Sequence, residues 1–262
     1  MKSPSVFNSY VVTMLSVLFH QRRIPIKLPQ NVSLTETQLN AFKPFQAWLS
    51  KLQNNFSPSS NYQLKQIEIQ SVDIFKSHKI GFIKLNAEVI HPNGKPLSEV
   101  VVLRGGTVGM LVILQCAEDV AEKYVLLVEQ PRVAVSEIRL SELPAGMIDD
   151  GTFCGAAAKE LEEECGLTIE ESDLKDLTGA KEHSEGILLS PGLLDESIKL
   201  YSYTKEMSRN EILELNGKLT GNQNENENIT LKLVKIQEAG NATRDAKLLL
   251  ALYLYQKEPF VG

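Results

Sequence analysis

Three glutamates near the middle of the chain have the spacing of a metal-binding helix face. Glu160, Glu163 and Glu164 occupy positions i, i+3 and i+4, so an α-helix projects all three carboxylates from one side. Like charges this close destabilise a helix unless a cation neutralises them, and carboxylate oxygens suit Mg²⁺ or Mn²⁺. Taken alone, the triplet favours an acidic face turned to solvent. The surrounding sequence therefore decides between a metal site and a solvated helix.

The surrounding residues resemble the signature of the Nudix hydrolase family. Residues 159–167, K-E-L-E-E-E-C-G-L, are similar to the second half of the Nudix box, G-x5-E-x7-R-E-U-x-E-E-x-G-U with U apolar. Lys159 stands where the family has arginine. The segment 146–160 is one residue shorter than in the family, so that Gly151 or Thr152 falls at the place of the first glutamate. The metal-binding half of the box is thus complete except for Lys159.

Two segments upstream are similar to the branch of that family that hydrolyses ADP-ribose and ADP-sugars. The sequence EQPR at residues 129–132 is followed by ELPAG at residues 142–146. The resemblance implies that Arg132 contacts a phosphate of the substrate, and a guanidinium matches phosphate geometry. The alternative is a surface arginine at the end of a strand.

A downstream loop is similar to the S-P-G-x-x-x-E loop of the same enzymes. It reads SPGLLDE at residues 190–196. The resemblance makes Glu196 a candidate general base or metal ligand, with Asp195 as the fallback, against the alternative of a surface charge on a loop.

The similarity runs from about residue 42 to residue 255 and implies both a fold and an activity. The fold is a Nudix α/β/α sandwich with a mixed sheet, preceded by a small strand-rich N-terminal subdomain. The activity is Mg²⁺-dependent hydrolysis of the diphosphate of ADP-glucose or ADP-ribose, giving AMP and a sugar 1-phosphate, with Mn²⁺ as a possible substitute and a homodimer as the assembly. The implied metal ligands are Glu160, Glu163, Glu164 and the carbonyl of Ala145, the catalytic residues Glu196 and Glu163, and the substrate-binding residues Arg132, Glu142 and Arg104.

Two alternatives to this activity stay open. The substrate could be another nucleoside diphosphate derivative, such as NADH or a UDP-sugar. The chain could also be a catalytically impaired Nudix module that only binds a nucleotide, which the substitution at Lys159 and the shortened segment favour. Retention of the three helix carboxylates and Glu196 argues against that reading.

Composition narrows the partners and the compartment. A net charge of −6 and a pI near 5.4 exclude a broad electrostatic grip on nucleic acid, and no apolar stretch is long enough to span a bilayer. Three cysteines without a C-x-x-C pair indicate a reducing, cytoplasmic location. Residues 1–35 contain no acidic residue and resemble a mitochondrial or plastid transit peptide, the alternative being an unpacked tail. The expected partner is a small nucleotide-sugar.

Periodicity predicts the elements that position these residues. We expect an amphipathic helix over residues 36–52, consecutive strands from residue 62 to residue 128, and a hairpin at Asn93-Gly94. A helix from residue 151 should end at Gly166, followed by strands at 197–204 and 229–236, a polar linker at 216–228 and a helix at 242–257. The expected divisions are a tail or targeting segment at 1–40, a helix and strand subdomain at 41–105, and the catalytic domain at 106–262.

Overall fold

A computed structural model describes residues 15–56, 60–75, 79–148, 155, 161–167, 169–179, 185–221 and 228–257. The chain divides into two compact units. The first comprises Met1–Gly105 and Leu188–Glu196, and the second comprises Gly106–Ile187 and Ser197–Gly262. The boundaries expected from the sequence had placed residues 188–196 with the second unit.

The first unit is built on a five-stranded sheet. Its strands, in spatial order, are β1 (Leu15–Phe19), β2 (Arg22–Lys27), β3 (Gln63–Ile74), β4 (Ile80–Ile90) and β5 (Pro96–Leu103). All neighbours are antiparallel except β2 and β3. The predicted hairpin between β4 and β5 is confirmed: the His91 N–H donates to the carbonyl of Lys95 at 2.9 Å, and Gly94 has a φ of +79°. This sheet is the strand-rich N-terminal subdomain expected from the sequence.

Strands β1 and β2 lie within the segment interpreted as a tail or a targeting signal. They are joined by His20 and Gln21, both at positive φ, which is the backbone of the tight turns that suit a two-residue hairpin. Val17, Phe19 and Ile26 of this hairpin are buried in the core of the first unit.

The predicted helix over residues 36–52 is interrupted. Helix α1 (Glu36–Ala41) ends at Phe42, whose backbone is extended, and α2 (Lys43–Asn55) begins directly after it with Pro44 in its first turn. Proline has no N–H to donate to the preceding turn, so one helix cannot continue through this point. The apolar period survives the break because Leu39, Phe42 and Phe45 are still buried.

The second unit contains a mixed sheet, as the sequence predicted. Its path is β10-β12-β6-β7-β14-β13, with β8 paired to β7 and β9 paired to β6. Strands β6 and β12 are parallel, and the other pairs on the path are antiparallel. The strands are β6 (Thr107–Cys116), β7 (Lys123–Arg132), β8 (Glu137–Glu142), β9 (Ala145–Met147), β10 (Lys175–Asp176), β12 (Ser197–Met207), β13 (Leu219–Thr220) and β14 (Ile229–Lys235), with β11 (Ile187–Leu188) at the point where the chain passes to the first unit.

Within the described part of the second unit, two α-helices have assigned bounds. They are α3 (Arg209–Leu215) and α4 (Ala246–Lys257). Short 3-10 turns lie at Val133–Val135, Glu171–Asp173 and Ala239–Asn241. Nearly every residue of β6 is buried, which is typical of a central strand covered on both faces.

The sequence prediction missed α3 and began α4 too early. Helix α3 starts with a capping box in which the Ser208 hydroxyl accepts from the Glu211 N–H while the Glu211 carboxylate accepts from the Ser208 N–H. Part of the predicted linker at 216–228 forms β13. Among the helices that the structure describes, none is long and apolar enough to cross a membrane.

Candidate functional site

Two of the three helix glutamates lie on one wide turn. The segment Leu161–Cys165 is π-helical, and such turns are rare and frequent at functional sites. It stops at Gly166, which has a φ of +68°, so the predicted glycine stop is confirmed. Glu160, together with Lys159, Gly151 and Thr152, lies outside the described residues.

The two described glutamates have different environments. Glu163 is exposed, whereas Glu164 is buried, with 7% of its surface accessible. Cys165 and Leu167 are buried behind them, and the Thr220 hydroxyl donates to the carbonyl of Glu164. Contacts from elsewhere in the chain therefore hold Glu164 in place while Glu163 faces solvent, so the two carboxylates are not presented alike as the sequence pattern predicts.

The carboxylate of Glu164 contacts the predicted motif at residues 142–146. Its Oε2 accepts a hydrogen bond from the Ala145 N–H at 3.2 Å. Ala145 begins β9 and pairs with Gly109 of the central strand, and the Met110 N–H donates to the Pro144 carbonyl at 2.9 Å. The fold thus brings Glu164 to the residue whose carbonyl was predicted as a metal ligand.

The side of Gly109 facing that motif has little room. A Cβ at this position would lie 3.0–3.2 Å from side-chain atoms of Leu200, Leu143 and Ile198. Glycine is therefore the residue that lets the motif approach the central strand closely.

The described donors have the chemistry of a magnesium site. Glu163, Glu164 and the Ala145 carbonyl are all hard oxygen ligands, which Mg²⁺ and Mn²⁺ prefer. Within the part of the chain that the structure describes, no three acidic, histidine or cysteine side chains come together as a metal cluster. The third predicted carboxylate, Glu160, is not in that part.

Arg132 and Glu142, predicted as separate substrate ligands, form an ion pair with each other. Arg132 Nε lies 2.6 Å from Glu142 Oε1. The Glu142 side chain is 6% exposed and that of Arg132 is 43% exposed. One guanidinium N–H is therefore used to orient the side chain, and the rest of the group reaches solvent where an anion can approach.

Sequence reasoning missed two further charged residues at this pair. Lys247 Nζ lies 3.3 Å from Glu142 Oε2, and 2.8 Å from Asp245 Oδ1. Asp245 precedes helix α4, and its Oδ1 accepts from the Lys247 N–H at 3.1 Å, as an N-cap does. An aspartate directly before an apolar run was the signal that would have indicated this cap.

The first unit contains the remaining predicted residues. Arg104 NH1 lies 3.4 Å from Glu196 Oε1, and the Glu196 side chain is 9% exposed. Arg104 Nε is buried and makes no hydrogen bond to the residues described. Arg104, predicted as a substrate ligand, therefore contacts the candidate general base.

Asp195, the alternative candidate for the general base, connects the loop at residues 190–196 to the end of β5 by hydrogen bonds. Its Oδ1 accepts from the N–H groups of Arg104 at 2.7 Å and Gly105 at 3.2 Å. Burial raises the pKa of Asp195 above its ordinary value, although these N–H donors oppose the shift. The Val102 N–H donates to the Leu193 carbonyl at 2.8 Å. These bonds explain why residues 188–196 belong to the first unit.

The part of the chain that holds the candidate site residues is similar to known proteins. The family model described as the NUDIX domain matches residues 104–252, a range that includes every candidate site residue named above. "Nudix hydrolase 14, chloroplastic" of Arabidopsis thaliana is 37% identical over 219 residues, which cover 81% of this chain and 69% of that protein.

Solved structures with some likeness were also found. An "ADP compounds hydrolase" is 15% identical with a TM-score of 0.48, covering 74% of this chain and 94% of its own. The Nudix hydrolase RenU from M. smegmatis is 15% identical with a TM-score of 0.36, covering 64% of this chain and 91% of its own.

Proposed function

The chain belongs to the Nudix family, and we propose that it hydrolyses the diphosphate of ADP-sugars, such as ADP-glucose and ADP-ribose, to AMP and a sugar 1-phosphate. The observation that carries this proposal is the contact of Glu164 with Ala145, inside the motif whose first residue, Glu142, orients Arg132. Oxygen donors for a cation and a guanidinium for a phosphate are thus both attached to one short segment of the second unit.

The donor set fits a divalent cation. Glu160, Glu163, Glu164 and the Ala145 carbonyl would hold Mg²⁺, with Mn²⁺ as a substitute. When bound, such an ion neutralises charge on the diphosphate and makes a water easier to deprotonate.

Side chains of this protein bind the phosphate and accept the proton in the proposed reaction. Arg132 donates N–H groups to a phosphate oxygen and, because Glu142 fixes its Nε, does so from a preset orientation. Glu196 accepts the proton of the attacking water, whose oxygen bonds to phosphorus while the bond from phosphorus to the bridging oxygen breaks. Arg104 orients the Glu196 carboxylate. Glu163, the exposed carboxylate of the wide turn, is the second candidate for the proton acceptor.

A substrate panel tests the proposed activity. Purified protein with Mg²⁺ is given ADP-glucose, ADP-ribose, UDP-glucose or NADH, and the products are separated and identified. We expect AMP from both ADP-sugars and loss of turnover on chelation of the metal. Faster cleavage of UDP-glucose than of either ADP compound would contradict the substrate assignment.

A matched pair of substitutions tests the metal ligands. Glu164→Gln keeps the shape of the side chain but weakens a hard anionic ligand, so we expect kcat to fall by about 100-fold or more. Glu162→Gln changes an exposed glutamate of the same turn that has no proposed role, and should leave kcat unchanged. Equal effects of the two substitutions would show that the turn as a whole, and not Glu164, matters.

A Nudix module that binds a nucleotide without cleaving it is the second candidate. The lysine at position 159 and the shortened segment 146–160 favour it. Saturable ADP-ribose binding by calorimetry, without AMP release in the presence of Mg²⁺ or Mn²⁺, would support it over hydrolysis.

The homodimer and the cytoplasmic location, with a mitochondrion or plastid as the alternative, stay predictions. Light scattering on the purified chain tests the first, and imaging of a C-terminal fluorescent fusion tests the second.

A further inference from the structure

The residues that lead into helix α4, together with the first turn of that helix, contact strand β8 and the residue after it at four places. We call residues 243–247 the clamp segment. The Thr243 hydroxyl donates to the Ser141 carbonyl, Arg244 pairs with Glu137, Asp245 accepts from the Leu143 N–H, and Lys247 pairs with Glu142. Two of these contacts fall on Glu142 and Leu143, the first residues of the motif that carries the proposed chemistry.

Asp245 is the buried residue that holds the clamp segment in place. It is 7% exposed, and a buried carboxylate is stable only when its oxygens are satisfied. Oδ2 accepts from the Leu143 N–H at 2.9 Å, while Oδ1 accepts from the Lys247 N–H at 3.1 Å and from Lys247 Nζ at 2.8 Å. Both oxygens are thus occupied, and the position of Lys247 is set by two contacts.

Lys247 in turn holds one oxygen of Glu142. Arg132 Nε occupies Glu142 Oε1 at 2.6 Å and Lys247 Nζ occupies Oε2 at 3.3 Å. Because both of its oxygens are bound, the Glu142 carboxylate cannot rotate without breaking one of these two ion pairs. The Glu142 side chain is buried, so water does not readily replace the lost partner. The direction in which Arg132 extends therefore depends on Lys247.

We propose that Asp245 and Lys247 are positioning residues that act through Glu142 to set the orientation of Arg132. Affinity for the diphosphate then depends on the first turn of the C-terminal helix, although neither residue touches the substrate. This inference rests on the phosphate-binding role proposed for Arg132.

Steady-state kinetics on ADP-glucose test the chain of contacts. Lys247→Met removes the charge and keeps the length of the side chain, and we expect KM to rise about tenfold while kcat changes less than about threefold. Lys247→Arg restores the charge and should recover most of that loss. Lys257→Met, the same substitution at an exposed lysine at the other end of α4, is the control and should change KM less than about twofold.

A double-mutant cycle separates positioning through Arg132 from a general structural effect. In an Arg132→Ala background, Lys247→Met has no guanidinium left to orient, so we expect it to raise KM by less than about twofold. A full tenfold rise in that background would overturn the proposal, as would an unchanged KM in Lys247→Met itself.

An NMR measurement reports on the same contacts without a substrate. The Nε–H signal of Arg132, assigned by its loss in Arg132→Lys, should shift in Lys247→Met and in Asp245→Asn but not in Lys257→Met. An Arg132 signal that stays in place in both of the first two variants overturns the inference. If the wild type cleaves nothing in the substrate panel while the signal shifts as expected, the proposed function fails and the positioning stands.

Discussion

Substitution of Asp245 by alanine removes the buried carboxylate that joins the C-terminal helix to the motif at residues 142–146. Loss of the N-cap acceptor costs about 1 kcal/mol. The Leu143 N–H, which donates to Asp245 Oδ2, loses its partner at a buried position, which costs about 1–3 kcal/mol. Lys247 keeps Glu142 as a counter-ion, so no buried charge is left alone. The expected loss in the free energy of unfolding is therefore about 2–4 kcal/mol.

Urea unfolding followed by far-UV circular dichroism measures this loss, and hydrogen exchange by mass spectrometry on a peptide containing residues 141–147 localises it. We expect the Leu143 amide to exchange faster in Asp245→Ala. Asp245→Asn has one acceptor oxygen where aspartate has two, so it should lie between the wild type and alanine.

Arg244→Ala is the matched control, since its side chain is 77% exposed and its ion pair should contribute less than about 1 kcal/mol. The reasoning fails if Asp245→Ala and Arg244→Ala have equal midpoints. It also fails if exchange at residues 141–147 is unchanged in Asp245→Ala.

Three further predictions concern other parts of the molecule. Glu196→Gln should lower kcat by about 100-fold or more with little change in KM, because it removes the proposed proton acceptor; a change confined to KM would argue for a binding role. Because the folded-state pKa of Asp195 is raised, the stability it contributes is present at low pH and is lost as the pH rises through that pKa. Asp195→Asn should therefore gain in Tm relative to the wild type as the pH rises above the ordinary aspartate pKa of about 4, and a difference that does not vary with pH would contradict this. Gly109→Ala should lower the free energy of unfolding by about 1–3 kcal/mol through overpacking; urea unfolding with no loss would show that Leu143, Leu200 and Ile198 yield easily.

The sequence predicted those features that depend on local pattern. Apolar patterns indicated the seven longest of the fourteen strands that the structure describes, the Asn93-Gly94 pair indicated a hairpin, and Gly166 indicated a helix end. Each depends on residues close in the chain and on backbone preferences that a few side chains fix. The break at Phe42 was local too, and Pro44 was the signal that a longer apolar period obscured.

Other features depend on contacts between distant segments and could not be predicted in this way. Arg132 and Glu142 were both identified, but their ion pair requires the β7–β8 pairing, which has an irregular register between Gln130 and Arg132. Lys247 and Asp245 reach the motif from about 100 positions away in the chain. Glu164 is bound by the Ala145 N–H and the Thr220 hydroxyl, and the spacing of the glutamates does not reveal such contacts.

The discontinuity of the first unit bears on how the chain folds during synthesis. Strand β5 ends at Leu103, but the carboxylate that accepts from the Arg104 and Gly105 N–H groups belongs to Asp195. At about 5–20 residues per second, a ribosome needs roughly 5–18 s to add the intervening residues. The N-terminal sheet is thus translated long before the loop that completes its edge, and during that interval water or a chaperone must satisfy those two amides.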